Sequence, residues 1–341
     1  AGGTEAPWWK APLRLVLAVL GALVVYSAFL LLKGAAPLEV FESMWRSASK
    51  GGFGDTLVRA TPFVFAALAV AVPARAGMFN IGGEGQLLLG AVGAMGMARL
   101  LGEDSSVLNL VLVLLAGAVA GAAWAFVPAL LRVRLSTNEA ISTLLLNYPA
   151  GLLLTWLVFE PWKDPASLGQ AYSTKLDASE ELPILWGTRV HLGIILAVLA
   201  AVGVWWLLRT TRWGFRLRVL GGNPEAGRRA GFPIGRLGIM AFLVGGALAG
   251  LGGAIELTGV EGRLRPDILV GYGFIGFLAS WLVRHQPLQI LASSFLLAAV
   301  AVGGTGLKLS TGLSGGAVNV LMALVLLAIL GWGQQRGEVG T

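Results

Sequence analysis

Few side chains in this sequence could do chemistry, and they fall into short clusters. The segment Phe79-Asn80-Ile81-Gly82-Gly83-Glu84-Gly85-Gln86 joins two strongly apolar runs and carries one carboxylate, two amides and three glycines. A charge held away from water is costly unless paired or hydrogen-bonded, so Glu84 implies either a brace or a polar pathway. Its glycines interrupt a continuous helix, and the freed backbone N–H groups need partners inside protein or at a water-filled cavity. Asn80, Glu84 and Gln86 are candidates for both tasks, and an ordinary capped turn is the plainer alternative. A second cluster, "LSTNEAISTLLLNYPAG", places Asn138 and Ser142 on one helix face and Thr143 and Asn147 on the next. Asn138 and Glu139 fit first-turn caps. Asn147 lies a couple of turns further in, where an amide bonds a neighbouring helix or faces a cavity.

Other patterns suggest enzymes in letters only. Gly271-x-Gly273-x-x-Gly276 matches a dinucleotide fingerprint but opens an apolar run instead of following a strand. Gly312 to Gly316 fits G-x-S-x-G around Ser314, which would need a base. The two histidines do not supply one convincingly: His285 falls at the opposite membrane face, and His191 shares the face but has no motif around it. The chain has no cysteine, which excludes disulfides, thiolate metal sites and cysteine nucleophiles. No G-x-x-x-x-G-K-[ST] loop is present, so any ATP hydrolysis belongs to another chain.

The elements that must position these clusters are membrane helices. The 341 residues are 56% hydrophobic and 13% charged, with mean hydropathy +0.77, whereas soluble domains carry about 25% charge. This implies an all-α polytopic membrane protein forming a single transmembrane domain over residues 1–341. Ten runs are apolar enough to span: 13–32, 57–73, 86–101, 107–131, 139–159, 190–208, 237–256, 270–283, 288–304 and 315–332. The first is expected to be a retained span and not a signal peptide. With both termini cytoplasmic, 14 basic and 5 acidic residues fall inside against 11 and 13 outside, as the positive-inside rule requires. This accounts for the net charge of +7 without a nucleic-acid partner.

Seven arginines, Arg209, Arg212, Arg216, Arg218, Arg228, Arg229 and Arg236, crowd the inner loop 209–236. They anchor topology beside anionic lipid or serve a partner. Within that loop "GGNPEAGRRAGF" starts a short helix at Asn223-Pro224, with Glu225 at its positive end and Gly231 able to stop it. Its small residues suit a socket on a cytoplasmic partner. The exterior loop 160–189 holds Pro161, Pro165 and Pro183 and reads as an irregular or partly helical cap. Gly117-x-x-x-Gly121 and Gly246-x-x-x-Gly250 predict close helix approach. Spans two and seven run oppositely and are each followed by a glycine-rich polar break, which suggests inverted units over spans 2–5 and 7–10.

Four patches, "GMFNIGGEGQLLLGA", "NEAISTLLLNY", "GGNPEAGRRAGFPIGRLGIMAFLVGGALAGLGGAIE" and "GYGFIGFLASWLVRHQPLQILASSFLLAAVAVGG", resemble ABC importer permease subunits of the branched-chain amino acid/ribose superfamily. The nucleoside-type permeases look most similar. The family usually shows NP-x-A-A-x-Y-A-G-I in its inner loop; Ala226-Gly227 and Arg229-Ala230-Gly231-Phe232 replace part of it here and add charge. The resemblance implies a prokaryotic plasma-membrane subunit that pairs with a second homologous permease, ATPase subunits that bind ATP and Mg, and an extracytoplasmic solute-binding lipoprotein. It also implies that Asn223, Pro224, Glu225, Arg228, Arg229, Gly231 and Phe232 couple to the ATPase. Asn80, Glu84, Gln86, Asn138, Glu139 and Asn147 become candidates for the pathway or its gates. No catalytic residue, bound cofactor or metal is expected on this chain. Nucleosides are the expected solute; simple sugars or amino acids are the alternatives, and an ion-coupled carrier or channel is the competing class.

Overall fold

The computed structural model describes residues 10–49, 52–102, 107–167, 169–185 and 187–311, with a few helical positions between 320 and 327. The tenth expected span, 315–332, and Ser314 therefore lie outside most of the described residues. Among the described residues the protein is helical, and extended pairing is limited to the isolated bridges Lys163–Ser173 and Ile184–His191. Among the described residues six helical segments are long and apolar enough to cross a membrane, and a seventh if the bent pair of helices at the N-terminal end is taken as one.

The chain divides into two compact units. The first comprises residues 1–53 and 299–341. In it α1 (Lys10–Leu32) meets α2 (Pro37–Ser49), the two bent by 112° at the break. Tyr26, Leu30, Val40 and Met44 are buried there, and the Tyr26 and Phe41 rings lie 6.1 Å apart.

The second unit, 54–298, carries the polar clusters. It contains α3 (Phe53–Ala74), α4 (Gly83–Leu101), α5 (Val107–Leu135), α6 (Glu139–Leu145), α7 (Asn147–Phe159) and α8 (Gly193–Thr210). After these come α9 (Arg212–Gly222), α10 (Pro224–Arg229), α11 (Ile234–Glu256), α12 (Tyr272–Leu282) and the first half of α13 (Pro287–Thr311), whose residues from 299 on belong to the first unit. A π-helical turn, Leu257–Glu261, extends α11.

Helices α4, α5 and α11 pack backbone to backbone. A Cβ on Gly121 would overlap the Gly246 carbonyl, and one on Gly250 would overlap that of Gly117. With hydrocarbon outside there is no hydrophobic drive between helices, so van der Waals contact at small residues holds such crossings together. The glycine spacing of the sequence thus translates directly into the central seam. Helix α3 runs antiparallel to α11, with Phe65 against Gly252 and the Ala69 carbonyl against Gly245. Over its most apolar 18 residues α3 is 78% buried, whereas α5, α7 with α6, and α8 are each 28% buried and turn apolar sides outward.

Segment 160–192 caps one end of this unit. Leu182, Leu176 and Ser173 donate backbone N–H bonds to the carbonyls of Thr258, Gly262 and Leu264 at 2.9, 2.8 and 3.1 Å. The segment is irregular, because its prolines forbid continuous helix or ladder.

Two of the expected spans differ in kind from the rest. Helix α12 has 11 residues, about 16 Å at the helical rise, which is half a bilayer. Its 270–283 run cannot cross alone, because residues 262–271 leave the helical path before it begins. Residues 75–82 likewise fold back along α3: the Asn80 side chain reaches the Ala69 carbonyl, five residues before α3 ends. Helix α4 consequently starts more than a helical turn inside the end of α3.

Candidate functional site: two helix N-termini held by one carboxylate

The folded-back segment is fixed by a closed set of amide bonds. Asn80 and Gln86 pair through both functions, Nδ2 to Oε1 at 2.9 Å and Nε2 to Oδ1 at 3.0 Å. Asn80 also donates to the Ala69 carbonyl at 3.1 Å and accepts from the Gly82 N–H at 3.1 Å. Both side chains are fully buried, where an unpaired amide would be expensive. Helix α4 opens on glycines and has no side-chain cap of its own, so its first N–H groups rely on residues from elsewhere. Asn147 supplies one partner: its Oδ1 accepts from Gly85 at 2.8 Å, and its Nδ2 donates to Ile81 at 3.2 Å. Thr143 Oγ1 accepts from the Ile81 N–H at 3.1 Å. The short α6–α7 pair thus clamps the segment from one side.

Glu84 clamps a different helix. Its two oxygens accept from the backbone N–H groups of Gly271 at 2.8 Å and Gly273 at 3.2 Å, across 187 and 189 residues of chain. Those groups open α12, whose free N–H groups and dipole favour an anion. Gly271 has φ +83°, a left-handed conformation that favours glycine, and Gly273 lies against the Glu84 backbone. The N-termini of α4 and α12 therefore cross at Gly83 and Gly273, with one half-buried carboxylate between them. Gly276, the third glycine of the fingerprint-like run, packs against Ala66 of α3.

A second polar connection starts at the same helix end. Tyr272 accepts a hydrogen bond from Arg59 of α3 and donates to Glu256 Oε1 at 3.3 Å. Glu256 is buried at the end of α11, and its Oε2 meets no hydrogen-bond donor. The sequence reading missed all three residues, because Arg59, Glu256 and Tyr272 sit singly at the edges of apolar runs without a local motif. The charged residues within expected spans, Arg59 and Glu256, were the available signal.

The other sequence candidates are placed as follows. Asn138 caps α6, accepting from Ala140 and Ile141 at 2.9 and 3.2 Å. Glu139 is buried and pairs with Arg132 at 3.2 Å, near the Phe79 N–H at 3.5 Å. Asn223 caps α10, accepting from Ala226 at 3.0 Å, and Pro224 occupies its first turn. Glu225 bridges to Arg228 at 3.0 Å and Arg229 at 3.3 Å on the exposed side. Gly231 has φ +75° and ends the turn, and Phe232 stacks under the Arg216 guanidinium, 5.6 Å from its ring centre. Of the small residues around α10, Gly227 is buried near Val219 and Phe232, whereas Ala226 and Ala230 are exposed.

The arrangement is a crossing of two helix N-termini braced by one carboxylate and, apart from it, an exposed charged helix. Among the described residues no group of three or more acidic, His or Cys side chains is placed to hold a metal ion.

Comparison with known proteins agrees with this geometry. Residues 52–330 match the family described as branched-chain amino acid transport system / permease component. The glucose ABC transporter permease protein TsgB13 of Haloferax volcanii is 35% identical over 95% of this chain and 88% of its own length. The nucleoside ABC transporter permease protein NupB of Lactococcus lactis is 29% identical over 92% and 89%, and the guanosine permease NupP of Bacillus subtilis is 28% identical over 92% and 91%. A match over most of the chain, with helices that cross at glycines and polar breaks braced from within, leads to one conclusion: this chain belongs to the branched-chain amino acid transport permease family and is an ABC transporter permease.

Proposed function

We propose that this chain is a transmembrane subunit of an ATP-driven importer in the plasma membrane of a prokaryote, with both termini cytoplasmic and ten spans, the eighth made by α12 together with the non-helical residues that precede it. It forms the solute path with a second, homologous permease. ATP and Mg bind to separate ATPase subunits, and an extracytoplasmic lipoprotein delivers the solute. The observation that carries this reading, beside family membership, is α10: an exposed helix between α8 and α11 with Glu225, Arg228 and Arg229 outward. Such a helix is shaped to seat in a groove of the ATPase. Asn223 and Pro224 start it, while Gly231 and Phe232 turn the chain back to the membrane.

Asn80, Glu84, Gln86, Asn138, Glu139 and Asn147 act on the path by holding the segment Met78–Gly85 and the α4–α12 crossing. ATP-driven movement of α10 then reaches that crossing through α9, whose Gly221 lies against Arg75 and Gly77.

Nucleosides are the proposed solute. The supporting observations are the nucleoside and guanosine permeases among the relatives and the polar groups near the crossing, which are mainly amides and hydroxyls. Simple sugars are the second reading, favoured by the 35% identity to a glucose permease. Replacing both Arg228 and Arg229 by Glu tests the coupling: ATP-dependent uptake by the reconstituted complex should vanish while the permease stays folded. Undiminished uptake would refute it. Thermal-shift titration of the complex with its binding protein against nucleosides and hexoses decides the solute.

A further inference from the structure

At the basic face of the second unit is a cavity of about 310 Å³ lined by Arg75, Trp205, Leu208, Arg209, Arg218, Gln286 and Pro287. Three guanidinium groups converge there from the end of α3, the last turn of α8 and the middle of α9. None of the three is in an ion pair among the described residues. Their contacts within the protein are neutral: Arg75 donates to the His285 carbonyl at 3.3 Å, Arg218 donates to the Leu208 carbonyl, and Arg209 lies 5.4 Å from the Trp205 ring centre. Arg75 Nε is buried with no acceptor. Burial, and then the charge of Arg218, both weigh against the charged form of Arg75. Arginine nevertheless stays protonated in proteins, so the cavity holds uncompensated positive charge that an anion would relieve.

The walls say which anion. One side is the indole of Trp205 and the side chain of Leu208, both at the end of an apolar helix. Along that helix Ile195, Leu199, Val202 and Trp206 recur at helical spacing and are exposed, at 40%, 60%, 43% and 57%. This stripe of apolar surface leads to the three arginines, and indole rings at such a boundary sit at headgroup depth. A ligand that fits both parts has a phosphodiester at one end and acyl chains at the other.

We propose that this cavity is a binding site for the phosphodiester headgroup of an anionic phospholipid, held by Arg75, Arg209 and Arg218 with its chains along α8. Basic pockets between membrane helices bind such headgroups by the same chemistry. The site lies beside α9 and close to the folded-back segment, since Arg75 and Gly77 pack on Gly221. An occupied site therefore ties the coupling loop to the membrane surface.

The test uses the permease complex with its ATPase subunits, purified in a neutral detergent, delipidated and followed by native mass spectrometry. It is titrated with phosphatidylglycerol and, in parallel, phosphatidylethanolamine of the same chains. One phosphatidylglycerol should be retained at least ten-fold more tightly than phosphatidylethanolamine. Each basic side chain is worth about 1 kcal/mol, or roughly five-fold. The Arg209→Gln/Arg218→Gln variant should therefore lose about twenty-five-fold, whereas Arg212→Gln, which does not line the cavity, should keep wild-type affinity. A thermal melt checks that each variant is folded, and Arg75→Gln serves as the alternative should the double variant fail that check. Equal binding of the two lipids, or unchanged affinity in the cavity variants, would overturn the proposal. So would displacement of phosphatidylglycerol by millimolar inorganic phosphate, which would mark a site for a soluble anion. Lipid that binds only after the ATPase is stripped off would overturn it too, by assigning the arginines to ATPase carboxylates.

Discussion

Between Met78 and Gln86 the polar groups turn inward and are used up within the chain, whereas between Arg212 and Phe232 they turn outward and are only partly paired. Asn80 and Gln86 are at or below 1% exposure and bond each other, Ala69 and Gly82. Glu225 serves two arginines that remain 71% and 81% exposed, a kind of ion pair worth little in water. Both regions contain a glycine-rich break, a short helix start and a carboxylate near helix N–H groups. What separates them is where the N–H groups point. In the first region a second helix end from the same chain meets the carboxylate. In the second the helix is short and stands in the open, so its charged surface stays exposed. Polar density in a membrane protein therefore marks a site of satisfaction as readily as a site of contact.

Substitutions that act on one region should leave the other alone, and their effects should differ greatly in size. The largest is expected from Gly273→Val: a Cβ there overlaps the Glu84 backbone, so the α4–α12 crossing cannot close and no monodisperse complex should elute on size exclusion. Recovery of a normal complex would break the account of the crossing. Next comes Asn80→Leu, which strands the Gln86 amide and the Gly82 N–H in a buried setting at about 1–3 kcal/mol each. Differential scanning fluorimetry should show a clear fall in melting temperature, partly recovered by Asn80→Leu/Gln86→Leu.

His285 gives an intermediate effect that depends on pH. Burial, and then the charge of Arg75, hold it at about 4. That is below the unfolded value of about 6.5, so the unfolded chain binds more protons between these values and stability falls as the medium is acidified. Its contribution is intact above about 6.5 and fades toward 4. The melting temperature should decline over that window, and less steeply in His285→Gln. The smallest effect belongs to Asn223→Ala, which removes the α10 cap at a local cost of about 1 kcal/mol. It should lower ATP-dependent uptake with almost no change in melting temperature, and a global loss of stability would show that α10 is less separate than described.

Much of this was legible from local pattern. The Gly-x-x-x-Gly pairs gave the α5–α11 seam, and Asn-Pro with a later glycine gave α10 nearly residue by residue. Helical character and membrane class followed from hydropathy. The partner of Glu84 did not follow: the sequence left a brace and a polar pathway both open, and the donors lie almost two hundred residues away at the start of α12. Periodicity reports which face of a helix is apolar, but not which helix end arrives beside it. The same limit hid α12 as a half-span, because its apolar residues read like those of a full one until the left-handed Gly271 shows where the helix starts. The inward turn of Gly227 depended on Val219 and Phe232, residues whose packing the short motif does not encode.

The glycine seam of α4, α5 and α11 has a consequence for motion. Ordinary helix pairs slide by letting side chains hop between rotamers, like gears with compliant teeth. Here main-chain atoms touch main-chain atoms at Gly90, Gly117, Gly121, Gly246 and Gly250, so there are no teeth to yield. The three helices are therefore stiff against one another, and relative motion is taken up more easily at their ends. Those ends are the folded-back segment before α4 and the π-helical turn after α11, where the backbone departs from regular α-helix.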